Sequence, residues 1–173
     1  MNKVLVVGIL LCLVATIVSI TSTAIPYWLY QERIVFNKTF THYIGLWKRC
    51  AKYPDSFPKA SGCVKLEYVQ DWWKSVQALM NLGILFLALS TFLGCLYCKD
   101  DSRQSLLHGA MLTAVLGGIA LIVAVIVFGV KGRDQRAYFH ACFYLALVSG
   151  ADGFVAAALL AISKRRGGYS SNI

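Results

Sequence analysis

Four long apolar blocks set the pattern of the chain, at residues 4–24, 76–98, 106–130 and 139–163, of 21, 23, 25 and 25 residues. Inside them polar side chains are few, and the strict alternation of a half-buried strand is missing. At a rise of 1.5 Å per residue each block would form a helix of about 30 Å or more, enough to cross a bilayer core. Backbone groups in lipid must be satisfied within the segment itself, which also selects helices. The expected fold class is an all-α membrane bundle of four transmembrane helices, a single tetraspan domain over 1–173. Extracellular loops would fall at 25–75 and 131–138, a cytoplasmic loop at 99–105, and the tail at 164–173.

Composition sharpens this reading. The chain is 58% hydrophobic and only 14% charged, with mean hydropathy +0.62, too apolar for an ordinary soluble domain. The first block, with Lys3 before it and Ser22 and Ala24 at its end, imitates a secretory signal peptide. Its apolar run is longer than the usual h-region of roughly 7–15 residues, so an uncleaved first helix is expected.

Net charge is +9, yet the basic residues are spread over loops and tail. No basic run alternates with a base-stacking surface, which argues against nucleic acid as a partner. Four spans place both termini on one side. Lys3 and the Lys164–Arg166 cluster favour the cytoplasm for them, and the same cluster could hold anionic lipid head groups. The 50-residue segment Ile25–Lys74 carries eight basic and four acidic residues, and counting all loops would reverse the orientation. Because the positive-inside rule governs short loops, the long one is read as a folded, exported segment. Asn37-Lys38-Thr39 in that segment is an N-glycosylation acceptor, as an extracellular face would allow.

The long loop is β-rich in composition. "YWLYQERIVF" and "TFTHYIGLW" flank a turn at Asn37-Lys38, and "VKLEYV" alternates so as to put Val64, Leu66 and Tyr68 on one face. A small antiparallel sheet above the bundle is expected. Cys50 and Cys63 are the two cysteines of this loop and should pair in an oxidising compartment, the alternative being two free thiols. Closing that loop would contribute roughly 3 kcal/mol.

Trp28, then Gly45-Leu46-Trp47, then Cys50 and Cys63 resemble the W–GLW–C–C signature of the claudin superfamily. That group includes the claudins, peripheral myelin protein, the epithelial membrane proteins and the lens fibre membrane protein. "DWWKSVQALM" at Asp71–Met80 is similar to the start of the second span in the myelin and epithelial members. The short second loop and short tail place the chain nearer to that branch than to claudins proper. The resemblance implies that the disulfide ties two strands of the outer sheet, and that the GLW segment anchors the sheet at the membrane surface. Trp47 and Trp28 would then sit at the interface with a wet indole N–H. Gly45 would permit close backbone approach or an unusual dihedral.

Other residues are candidates in their own right. Asp152 falls at the centre of the fourth span, where a carboxyl is a functional hypothesis by default. No basic residue lies inside another span. It would be either protonated or hydrogen-bonded to a neighbouring helix, with Thr16, Ser19, Ser90 or Thr113 as partners, or else serve as a contact for another protein. Ser149, Gly153, Ala157 and Ala161 form a small-residue packing stripe on the same span, with Gly109, Thr113 and Gly117 of the third as its mate. Cys95 and Cys98 read CxxC at a span end. S-palmitoylation or plain burial suits them better than redox chemistry, which would need a companion dithiol. His42, His108 and His140 lack ligand spacing, so no metal or other cofactor is expected. Ser171 and Ile173 fit the C-terminal ligand pattern of a PDZ domain.

The expected function is non-enzymatic. The chain would organise membrane or cell–cell contacts at the plasma membrane, associating with itself through its outer domain. The alternative is an auxiliary subunit that adjusts the gating or trafficking of a channel or receptor.

Overall fold

The computed structural model describes residues 3–35, 38–53, 61–100, 102–132 and 138–170, with side chains as far as Lys164 in the last of these segments. Asn37, Ser171 and Ile173 lie outside them. Nine elements follow one another: α1 (Lys3–Ala24), β1 (Leu29–Val35), β2 (Lys38–Ile44), β3 (Lys48–Lys52), β4 (Gly62–Lys65), α2 (Asp71–Lys99), α3 (Gln104–Gly132), β5 (Tyr138–Phe139) and α4 (Ala141–Ser170). All four helices are long and apolar enough to cross a membrane. They form a ring in which α1 packs on α2 and α4, and α3 packs on α2 and α4.

Close approach explains the tightest pair. A Cβ on Gly83 of α2 would lie 2.7 Å from Leu121 Cγ, and one on Gly117 of α3 would lie 3.1 Å from the Gly83 carbonyl oxygen. The absent side chains let the two backbones meet, as small residues do between membrane helices. Hydroxyls then bridge helices at several depths. Ser90 Oγ donates to the Ala110 carbonyl at 2.8 Å and lies 3.4 Å from Cys12 Sγ, joining α1, α2 and α3. Ser22 Oγ donates to the Cys142 carbonyl at 2.7 Å, joining α1 to α4.

The sheet is antiparallel, five-stranded and ordered β4-β3-β2-β1-β5. The fold differs from the sequence reading in three ways. Phe139, expected to open the fourth span, instead pairs with Leu29 in β5, so the second loop adds a strand to the sheet. The backbone N–H of His140 then donates to the Trp28 carbonyl, and the helix starts only at Ala141. The "VKLEYV" stretch leaves the sheet after Lys65. Leu66 N–H is taken by the Trp47 carbonyl, and the chain turns towards α2, leaving Tyr68 96% exposed. Finally, α2 begins at Asp71, one turn and more before the apolar block, because Trp72 and Trp73 belong to the helix.

Candidate functional site

The most heavily built region is the joint between sheet and bundle. After α1 the chain turns at Ile25, whose N–H donates to the Thr21 carbonyl, and delivers Trp28 downwards. The indole of Trp28 is fully buried, 4.8 Å from Phe128 of α3 and 6.4 Å from Phe143 of α4 by ring centroids. Its Nε1 donates to the Ser22 carbonyl at 2.7 Å. The expectation of a wet indole at the interface is therefore corrected for Trp28. Its N–H finds a helix-end carbonyl left without an intrahelical donor, so burial needs no water.

The Gly45-Leu46-Trp47 segment is the second half of the joint. A Cβ on Gly45 would lie 2.4 Å from Pro26 Cα, so close backbone approach is what the position requires. Leu46 is fully buried, and its carbonyl accepts from Trp73 Nε1 at 3.0 Å and from Gln77 Nε2 at 2.6 Å, both on α2. Trp47 is partly buried and packs against the same core. Trp28, Leu46, Trp73 and Phe128 thus share one cluster drawn from the α1–β1 link, the β2–β3 turn, α2 and α3. Sequence reading missed the roles of Trp73, Gln77, Phe128 and Ser22. The paired tryptophans of "DWW" were a visible signal for the first, whereas Gln77 and Ser22 look like ordinary span-end polar residues.

Above the joint, Cys50 and Cys63 face each other across β3 and β4 and are disulfide-bonded, with Cα atoms 4.0 Å apart. β4 is the outer edge of the sheet and exposed along its length. On β2, His42 lies on the same face as Arg33 and Arg49, two residues on from its partner Gln31 and two before its partner Ala51. Burial first, then the Arg49 and Arg33 guanidiniums, hold the His42 pKa below its ordinary value. His140 sits among Tyr27, Tyr30 and Tyr43, at centroid distances of 5.3, 6.1 and 6.0 Å, with its Nδ1 buried and, among the described residues, without a hydrogen-bond partner.

The chain carrying this arrangement matches a family model by its sequence. Residues 2–160 match that of the PMP-22/EMP/MP20/Claudin family. The chain belongs to that family. It is also similar to the zebrafish (Danio rerio) protein named p53 apoptosis effector related to PMP-22, 30% identical over 95 residues, which cover 55% of this chain. The match spans about half (49%) of that relative's length.

The remaining candidates are dispersed. Gly153 packs on α3 and α2, with a Cβ there 3.2 Å from the Ala114 oxygen and from Leu87, and 3.3 Å from Gly118 Cα. Ser149 and Ala157 are buried, while Ala161 is exposed, so the stripe turns out of the contact at its end. Its expected mate is corrected. Gly109 and Gly117 face Leu93, Gly83 and Leu87 of α2, and the surface that meets α4 is the one carrying Ala114 and Gly118. Cys95 and Cys98 are exposed free thiols beside an apolar groove of about 260 Å³ shared with Val6, Ile9 and Leu10 of α1. Lys164 Nζ lies 2.5 Å from His108 Nε2 of α3.

Asp152 is partly exposed. Each hydroxyl expected to bind it is engaged elsewhere. Thr16 donates to the Cys12 carbonyl, Ser19 to Thr16, Ser90 to Ala110, and Thr113 to Gly109 and Ala110. For Thr16, Ser19 and Thr113 the reason is local, since mid-helix hydroxyls readily reach a carbonyl three or four residues back, whereas Ser90 is taken by a carbonyl of the neighbouring α3.

Proposed function

We propose that this family member is a non-enzymatic tetraspan that organises membrane or cell–cell contacts, with the disulfide-tied sheet as its outward contact element and both termini in the cytoplasm. The supporting observation is a sheet anchored on the bundle with an open edge. The joint at Trp28, Leu46 and Trp73 fixes the sheet on the bundle, while among the described residues no strand covers the outer side of β4. An uncovered edge strand is a template for pairing with another chain, and a second copy supplies one of matching sequence. Lipids surround the spans, and the groove at Cys95 and Cys98 suits an S-linked acyl chain laid along α1 and α2. Glycosylation at Asn37 and PDZ binding through Ser171 and Ile173 complete this reading of the surface.

The test is the composition of the native complex, purified in mild detergent from the cells that make the protein. Arrays of this chain alone, lost in Cys50→Ser/Cys63→Ser, support the organising role. A channel or receptor recovered at fixed ratio with no arrays of this chain overturns it in favour of an auxiliary subunit, a reading favoured by Asp152, which has no partner among the described residues of its own bundle.

A further inference from the structure

Asp152 is the midpoint of the apolar stretch Ala141–Lys164 of α4. Its neighbour Gly153 faces the bundle, but Asp152 lies on a different stripe. Counting by alternate steps of three and four gives Ala141, Leu145, Val148, Asp152, Val155, Leu159 and Ile162. Every one of these is exposed or partly exposed, with Leu145 at 37%, Val148 at 52%, Val155 at 50% and Ile162 at 43%. This is the seam spacing that a second helix packs on at a shallow left-handed angle, as in most membrane bundles. The carboxyl occupies its central position.

Two observations restrict what can lie on that seam. Among the described residues no hydrogen bond or ion pair reaches the Asp152 carboxyl, and the four span hydroxyls expected as its partners already have other acceptors. A carboxyl at this depth is costly unless another molecule supplies the matching group. A second copy of this chain cannot supply a cation there, because 4–24, 76–98 and 106–130 contain no lysine or arginine and α4 reaches its first only at Lys164. The helices' other basic residues stand at their ends, at Lys3, Lys74, Lys99 and Lys131. We propose that the Leu145–Ile162 seam of α4 docks the transmembrane helix of a different protein, one carrying a lysine or arginine at mid-membrane depth opposite Asp152. The proposal rests on α4 alone and stands whether or not the outer sheets associate.

The full chain is co-expressed with a single-span leucine–alanine helix bearing one central arginine, and with the same helix bearing leucine instead. Recovery of each probe with the tagged chain is measured in mild detergent. The arginine probe should be recovered with the wild type roughly five- to thirtyfold more than the leucine probe. Asp152→Leu should abolish the difference, and Asp152→Glu should keep it. Should Asp152→Leu fail to fold, Asp152→Arg tested with an aspartate-bearing probe should restore recovery. Equal recovery of both probes by the wild type would overturn the proposal. So would unchanged preference in Asp152→Leu, or probe-independent dimers of the chain that require Asp152.

Discussion

At Gly45 a single hydrogen in place of a methyl group lets the β2–β3 turn lie against Pro26. A Cβ there would collide with backbone rather than with a flexible side chain. Gly45→Ala should therefore destabilise by about 1–3 kcal/mol, seen as a lower unfolding midpoint in detergent. Trp28→Phe tests the other half of the joint. Phenylalanine retains an aromatic contact with Phe128 but leaves the Ser22 carbonyl without its donor, a loss of about 1–3 kcal/mol in the same measurement. These positions were legible as a motif, and their chemistry was only partly so. Trp28 was expected to keep its N–H in water, because nothing local in the chain shows that the end of α1 holds a carbonyl ready to accept it. His42 carries a smaller effect. Its lowered pKa means that the unfolded chain takes up the proton first as pH falls through 6.5. Stability should therefore decline below that pH and recover above it. Unfolding midpoints measured from about pH 5 to pH 8 should show this slope in the wild type and a flatter one in His42→Gln.

Among the elements, β3 and β4 depend on the disulfide more than on burial, since every residue of β4 is exposed. Cys50→Ser/Cys63→Ser should lose roughly 3 kcal/mol, and reductant should have the same effect on the wild type but none on the variant. β1 and β2 need it less. They pair over seven residues, and Leu29 and Ile44 at their lower ends are buried against the bundle. β1, β2 and part of β4 were readable from β-branched and aromatic composition, whereas β3, with the sequence KRCAK, and β5 were not. Tyr138-Phe139 lies at the edge of an apolar block, and only its pairing with β1 separates it from the helix that follows. Likewise "VKLEYV" has a strand-like period, but its second half is drawn away because Leu66 bonds to Trp47 and the chain must reach Gln70 at the start of α2.

For the molecule as a whole, the sheet end of the bundle should face outside the cell. If so, Asn37 carries a glycan, and Asn37→Gln should remove the mass shift that endoglycosidase treatment gives in the wild type. An unshifted wild-type band on a protein with its tail accessible from outside would invert the assignment. Length, hydropathy and the scarcity of charge in the blocks were enough to determine four spanning helices, because lipid leaves a backbone of that length few ways to satisfy its hydrogen bonds. The ordered tryptophan, glycine and cysteine positions were enough to determine the family and the disulfide partners. Tertiary structure alone decided which faces meet. Small residues recur on several stripes of α3 and α4, and the pairing of Gly117 with α2 and Gly118 with α4 depends on how four ridged surfaces fit together at once. It also decided that Asp152 stays outside that fit. The hydroxyls expected to bind it bond to their own or adjacent helices, and its stripe on α4 is exposed or only partly buried.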